Sequence, residues 1–188
     1  MISNFRVKIA FLLLILFVAF LANIGTLVAI PILVLFIIAC SKYMPSFFGS
    51  YWIPTPAASI ERIAKEAKAR KSKNFYDLGS GDGRVVIAVA EAGVNAVGVE
   101  IDPLKWLLST ARIKLRALDA KILRESFYSA DLSKADVIFC YLPNATMAKL
   151  EPSMTRLKGK TIITYRIKFP NLKPSRTIKK ENLFIYRI

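Results

Sequence analysis

The chain has 188 residues, with 54% hydrophobic and 22% charged side chains and a formal net charge of +15. It contains no histidine and two cysteines, which excludes serine–histidine and cysteine–histidine nucleophile systems, the usual zinc enzymes, and any expectation of a metal site. Cys40 and Cys140 read as small apolar residues of a reducing compartment, not as a disulfide.

Apolar and charged residues are segregated. Residues 1–50 carry only Arg6, Lys8 and Lys42 as charges; 25 basic and 13 acidic residues fall in 51–188, a formal charge of +12. From Ile9 to Cys40 the chain is almost wholly apolar, interrupted by Asn23, Gly25, Thr26 and Pro31. One helix over that stretch would be roughly 48 Å long, against a hydrocarbon thickness of about 30 Å. The break at Asn23–Thr26 supplies helix stop and start residues, and Pro31 suits the first turn of a second leg. The expectation is a transmembrane hairpin of two short helices over 1–43, with a single tilted span as the alternative. A cleaved leader fits less well, because no small-residue cleavage site precedes the second leg. A hairpin would put Arg6, Lys8, Lys42 and the basic stretch from Arg62 to Lys73 on one side, the cytoplasmic one.

Residues 44–56 read as a linker rich in aromatic residues and proline, suited to a membrane interface. Ile60, Ile63, Ala64 and Ala67 then recur at helical spacing, surrounded by Arg62, Lys65, Lys68, Arg70 and Lys71. Beside a bilayer that basic face would be drawn to anionic lipid. From Asn74 onward short apolar runs alternate with amphipathic stretches. Strands are expected at 74–78, 95–101, 120–125, 135–142, 160–169 and 182–188. Helices are expected at 84–93, 103–118 and 144–157, the last interrupted near Pro152. The pattern predicts an α/β domain over 57–188: a doubly wound, mostly parallel sheet flanked by helices, with an antiparallel edge at the C-terminal end.

Gly79, Gly81 and Gly83 follow the first strand and open a helix, where a doubly wound sheet binds a nucleotide-like ligand. A phosphate loop would end Gly-Lys-Ser/Thr, but here Gly83 is followed by Arg84 and Val85. The dinucleotide fingerprint needs a different glycine spacing, and Asp77 and Asp82 would repel a pyrophosphate. Two carboxylates suit a ligand with a cationic end and no phosphate. S-adenosylmethionine has that profile, and the D-x-G-x-G-x-G loop resembles the first motif of class I S-adenosylmethionine-dependent methyltransferases. That resemblance implies a Rossmann-like fold, with Asp77, Gly79, Ser80, Gly81, Asp82 and Gly83 around the cofactor. Glu100, at the end of the second strand with Ile101 after it, is placed to take the ribose hydroxyls. Glu125, Ser126 and Phe127, after the third strand, are placed for the adenine.

Further stretches narrow the resemblance. "YWIPTPAASIERI", "YDLGSGDGRVVIAVAEAG", "AVGVEIDP" and "IITYRIKFP" are similar to segments of archaeal protein-lysine methyltransferases and of the mitochondrial enzymes that modify the adenine nucleotide translocase and the ATP synthase c-subunit. The resemblance covers about Tyr51 to Phe169, and the Pro-Thr-Pro stretch is its most specific part. It implies that Thr55 and Trp52 lie over the cofactor and shape a lysine channel. The end of the fourth strand, Cys140–Asn144, would face the methyl group, making Tyr141 and Asn144, with Tyr51, candidates for positioning the amine. The implied substrate is a protein lysine, on a membrane protein within reach of the linker. Rival readings are a lipid or quinone methyltransferase, an RNA methyltransferase suggested by the charge, and a membrane protein that binds the cofactor without turnover; nucleic acid is the less favoured partner.

Overall fold

The computed structural model describes residues 13, 16, 17, 20, 28, 30–35, 53–70 and 72–188. The chain divides into two units, Met1–Trp52 and Ile53–Ile188. In the first, Leu13, Leu16, Phe17, Phe20, Val28 and residues 30–35 are helical. The expected hairpin of membrane-crossing helices is not found: among the described residues no helix is long and apolar enough to cross a membrane. The remainder of the hairpin expectation lies outside the described residues. The fold class is corrected accordingly to the α/β domain, with no transmembrane hairpin among the described residues.

The second unit runs α1 (Ala57–Ala69), β1 (Asn74–Leu78), α2 (Arg84–Glu91), β2 (Asn95–Val99), α3 (Pro103–Leu115), β3 (Ala120–Leu123), β4 (Val137–Cys140), α4 (Asn144–Met154), β5 (Thr161–Tyr165), β6 (Arg176–Ile178) and β7 (Leu183–Arg187). The strands form one sheet in the order β3-β2-β1-β4-β5-β7-β6. The first five are parallel, and β7 pairs antiparallel with both β5 and β6. The order reverses between β1 and β4, so a crevice opens beyond their carboxyl ends.

Strands β1, β2, β4 and β5 are largely apolar because both sheet faces are covered there. Phe75, Ala96, Ile122, Phe139 and Ile163 pack with Ile63, Val85, Val89 and Ile113 from α1, α2 and α3. Tyr76, Leu78, Val97, Ile138 and Ile162 pack with Met147, Leu150 and Met154 of α4. In α2 the β-branched run Val85-Val86-Ile87 is wholly buried, so tertiary burial overrides its weak helix propensity.

Three expectations change in detail. Strands β2 to β5 are shorter than their apolar runs, so Glu100 lies one residue past β2 instead of ending it. Its N–H still donates to the Leu123 carbonyl (3.0 Å) and continues the ladder. Helix α4 is not interrupted at Pro152 but runs through to Met154. A proline in the last turn removes one N–H, from the carbonyl of exposed Ala148, which water can serve. Strand β6 has no counterpart among the expected strands: it has three residues, and none of them is buried.

Candidate functional site

The turn after β1 is built from backbone. The N–H groups of Gly79 and Ser80 both donate to the Val99 carbonyl, at 2.9 and 3.0 Å, which folds the loop back over the end of β2. Gly83 has φ +79° and caps α2. A Cβ there would also lie 2.8 Å from the Cβ of Ser109, so the close approach of α2 to α3 requires glycine at this position. Gly98, in β2, makes room of another kind. A Cβ there would sit 2.5 Å from Ile122 Cδ1 and 2.6 Å from Ser80 Oγ.

Glu100 closes the loop. Its Oε2 accepts from the Gly81 N–H (2.8 Å) and its Oε1 from the Asp102 N–H (2.9 Å). Each carboxylate oxygen keeps a second lone pair, so the residue fixes the loop and still offers two acceptors. Asp102 in turn caps α3 by accepting from Leu104 and Lys105.

The three carboxylates differ. Asp77 is buried in β1 between Gly98 and Phe139, and among the described residues no ion pair reaches it. Burial, with Glu100 and Asp82 nearby, pushes its carboxyl up to about 8. Asp82 is committed elsewhere: Arg84 donates through Nε and Nη2 (2.9 and 2.8 Å), and Arg112 through Nη1 (2.8 Å). Burial works against the ionised form of Asp82, but these hydrogen bonds outweigh it and hold its carboxyl below the usual range. Asp82 therefore braces the loop in its ionised form, while Asp77 in the free chain holds its proton near neutral pH.

The arrangement fits a cationic, phosphate-free nucleoside ligand. Glu100 retains acceptor capacity for a diol. A positive group would relieve the cost of ionising Asp77. Ser80 Oγ is buried with no hydrogen-bond partner, which leaves a polar group for a ligand to satisfy.

The remaining candidates lie on other segments of the domain. Thr55 is buried on the segment leading into α1; Tyr51 and Trp52 lie outside the described residues. Ile101 is exposed. Glu125, Ser126 and Phe127 are half-buried after β3. Ser126 Oγ accepts from the Tyr128 N–H (3.3 Å), and Phe127 packs on the Tyr128 ring with centroids 4.6 Å apart. Tyr141, just past β4, meets Tyr165 at the end of β5 edge-to-face, at 4.9 Å. Asn144 is exposed at the first position of α4.

Tyr165, Arg112 and Gly98 are the residues that the sequence did not mark. Tyr165 reads as one more apolar residue of its strand. Arg112 lies thirty residues from its partner Asp82, and no local spacing marks the pair.

Residues 77–176 match the model of the family described as the ANTKMT methyltransferase domain. A protein-lysine N-methyltransferase of Saccharolobus islandicus is 30% identical over 70% of this chain and 85% of its own length. The rat lysine N-methyltransferase of the ATP synthase c-subunit is 32% identical over 67% of this chain, which spans only 60% of that relative. Among solved structures, an RNA methyltransferase from Salinibacter ruber, in complex with S-adenosyl-L-homocysteine, is 29% identical with a TM-score of 0.64. The match covers 71% of this chain and 91% of that one.

Proposed function

This chain belongs to the ANTKMT methyltransferase domain family, and from that membership we propose that it methylates the side-chain amine of a protein lysine. It is an S-adenosylmethionine-dependent methyltransferase. The observation that carries the cofactor is the Gly81–Glu100 bond: one carboxylate fixes the glycine loop and keeps acceptors for a ribose, beside a buried carboxyl that a cation would help to ionise. The lysine assignment is supported by the relatives named for that activity.

When bound, S-adenosylmethionine supplies a methyl group on a positively charged sulfur. The protein must hold an uncharged amine in line with the sulfur–methyl bond. Tyr141 and Tyr165, at the adjoining ends of β4 and β5, form an aromatic wall that suits an alkylammonium or amine, and Asn144 opens the next helix. Free lysine has a pKa near ~10.4; burial beside a like charge lowers it. With no histidine in the chain, the amine loses its proton to water. The same reading places the enzyme at a membrane, with the catalytic domain on the cytoplasmic side. The apolar run from Ile9 to Cys40 and the positive charge that follows it support that location.

The test is transfer from tritiated S-adenosylmethionine into a host membrane fraction, with Glu100→Ala as control and products divided into protein, lipid and RNA. Methyl-lysine recovered from labelled protein is the expected result. One specific observation favours a second reading, RNA methylation: the solved relative from Salinibacter ruber is an RNA methyltransferase, and residues 51–188 carry +12. Label in RNA alone would replace the lysine assignment.

A further inference from the structure

Strand β6 contributes no buried residue, yet its hairpin with β7 holds α1 at two places. Ser59, in the first turn of α1, is buried, and its Oγ donates to the Glu181 carbonyl (3.2 Å), 122 residues away. Arg176, at the start of β6, donates through Nη1 to both oxygens of Glu66 (3.3 and 3.4 Å). Arg62 and Arg70 hold the same carboxylate from within the helix.

The hairpin's turn is closed by the Asn182 N–H on the Lys179 carbonyl (3.2 Å). Its last two carbonyls serve different elements. That of Glu181 accepts from Ser59, and that of Asn182 accepts from the Arg166 N–H (2.9 Å), one residue past β5. Arg166 and Asn182 both have a left-handed backbone, with φ +60° and +53°. Two such non-glycine residues bonded to each other mark a constrained junction, and constraint of this kind collects at functional sites. Tyr165 pairs with Leu183, and Leu183 with Ile178, so the turn lies at the carboxyl end of β5, the end at which the crevice opens.

Two parts of the candidate site meet at this junction. Thr55 precedes Pro56, whose carbonyl accepts from the N–H groups of Ser59 and Ile60, both at 3.0 Å. Tyr165 immediately precedes Arg166. It lies in one core cluster with Ile63, Ala64 and Ala67 of α1, and Tyr141 and Ile60 pack against that cluster. We infer that Ser59 is a positioning residue for methyl transfer. Through the turn it fixes the Thr55 segment relative to the Tyr141–Tyr165 pair, and so sets the walls between which the acceptor amine is held. The glycine loop is held elsewhere, by the Val99 carbonyl and Glu100, so its grip on the cofactor is independent of the junction. This deepens the lysine reading proposed above and rests on it.

The experiment uses the full chain and releases the turn by two routes. Ser59→Ala removes the donor. Asn182→Val puts a β-branched residue on a left-handed backbone, whereas Asn182→Gly adopts that backbone freely; Asn182 is exposed, so neither change disturbs packing. Transfer from tritiated S-adenosylmethionine into host membrane protein is measured against cofactor concentration, and cofactor binding by calorimetry. The maximal rate should fall roughly tenfold in Ser59→Ala and in Asn182→Val. KM and Kd for S-adenosylmethionine should stay within about twofold of the parent, and Asn182→Gly should recover most of the rate. Rate and cofactor affinity falling together would overturn the inference and make the junction a folding element. So would an unchanged rate in Ser59→Ala. A second readout is independent of turnover: amide hydrogen exchange at 165–169, read by mass spectrometry, should quicken several-fold in Ser59→Ala while β1 stays as in the parent. Unchanged exchange there would overturn the junction itself. Quickened exchange, from a parent that forms no methyl-lysine, would sink the lysine reading and leave the junction standing.

Discussion

Arg112, in the third turn of α3, donates to Oδ2 of Asp82 over 2.8 Å and to the Asp82 carbonyl over 3.1 Å, tying a helix to the glycine loop thirty residues earlier. Arg84 holds the same carboxylate from the other side. Two guanidinium groups on one aspartate make it a brace for the loop.

Arg112→Met removes half of that brace and keeps most of the side-chain volume. With Arg84 still in place and Arg112 partly exposed, the expected loss of stability is about 1 kcal/mol. The Asp82 carboxyl should titrate higher than in the parent. A urea midpoint and a carboxyl titration followed by NMR measure the two effects. An unchanged titration would mean that Arg84 alone sets the ionisation of Asp82.

Asp77 predicts a pH dependence whose sign can be worked out. Its folded-state pKa is raised, from the ordinary 3.8 to about 8, so between those values the folded chain without cofactor holds a proton that the unfolded chain has lost. Stability should fall as pH rises through that window. A cationic ligand favours the ionised form, so cofactor affinity should rise with pH up to about 8 and binding should release protons. Asp77→Asn should flatten the stability profile and weaken binding. Thermal midpoints across pH, with and without S-adenosylmethionine, check both effects; a flat parent profile would show that Asp77 is already ionised in the free enzyme.

Gly98→Ala should act at a distance from any ligand contact. Its methyl group would collide with Ile122 and with Ser80 Oγ, and overpacking of this kind costs about 1–3 kcal/mol. Because Ser80 belongs to the loop, cofactor affinity should fall along with stability. Calorimetry that showed intact affinity in a destabilised variant would mean that Ile122 yields and the loop does not move.

Tyr141→Phe and Tyr165→Phe keep the edge-to-face pair, while Tyr165→Ala removes it. If the pair positions the acceptor amine, the alanine variant should lose roughly tenfold or more in turnover and keep its cofactor affinity. The phenylalanine variants report separately on the hydroxyl groups. Equal loss of affinity and turnover in Tyr165→Ala would make the ring a packing element only.

The parallel core was legible because β1 and β2 are buried apolar runs followed by amphipathic helices, and the loop after β1 announces itself by glycine spacing. Glu100 could be placed from its distance to that loop. The Arg112–Asp82 tie could not be placed, because the two residues meet only once α3 has packed over α2. Strand β6 was hidden for a different reason. Its three residues have no buried side chain, and pairing with β7 holds it in the sheet. The proline in α4 misled because a last-turn position costs far less than an interior one.

Both outermost strands of the sheet are short. Strand β3 has four residues and carries Lys121; β6 has three and carries Arg176. Both cations are exposed, and the Arg176 side chain reaches across to Glu66 of α1 at 3.3 Å. An open sheet edge is a template on which further chains can polymerise, and edges this brief and positively charged offer a poor one. The domain is thereby guarded against fibrillar growth at high local concentration.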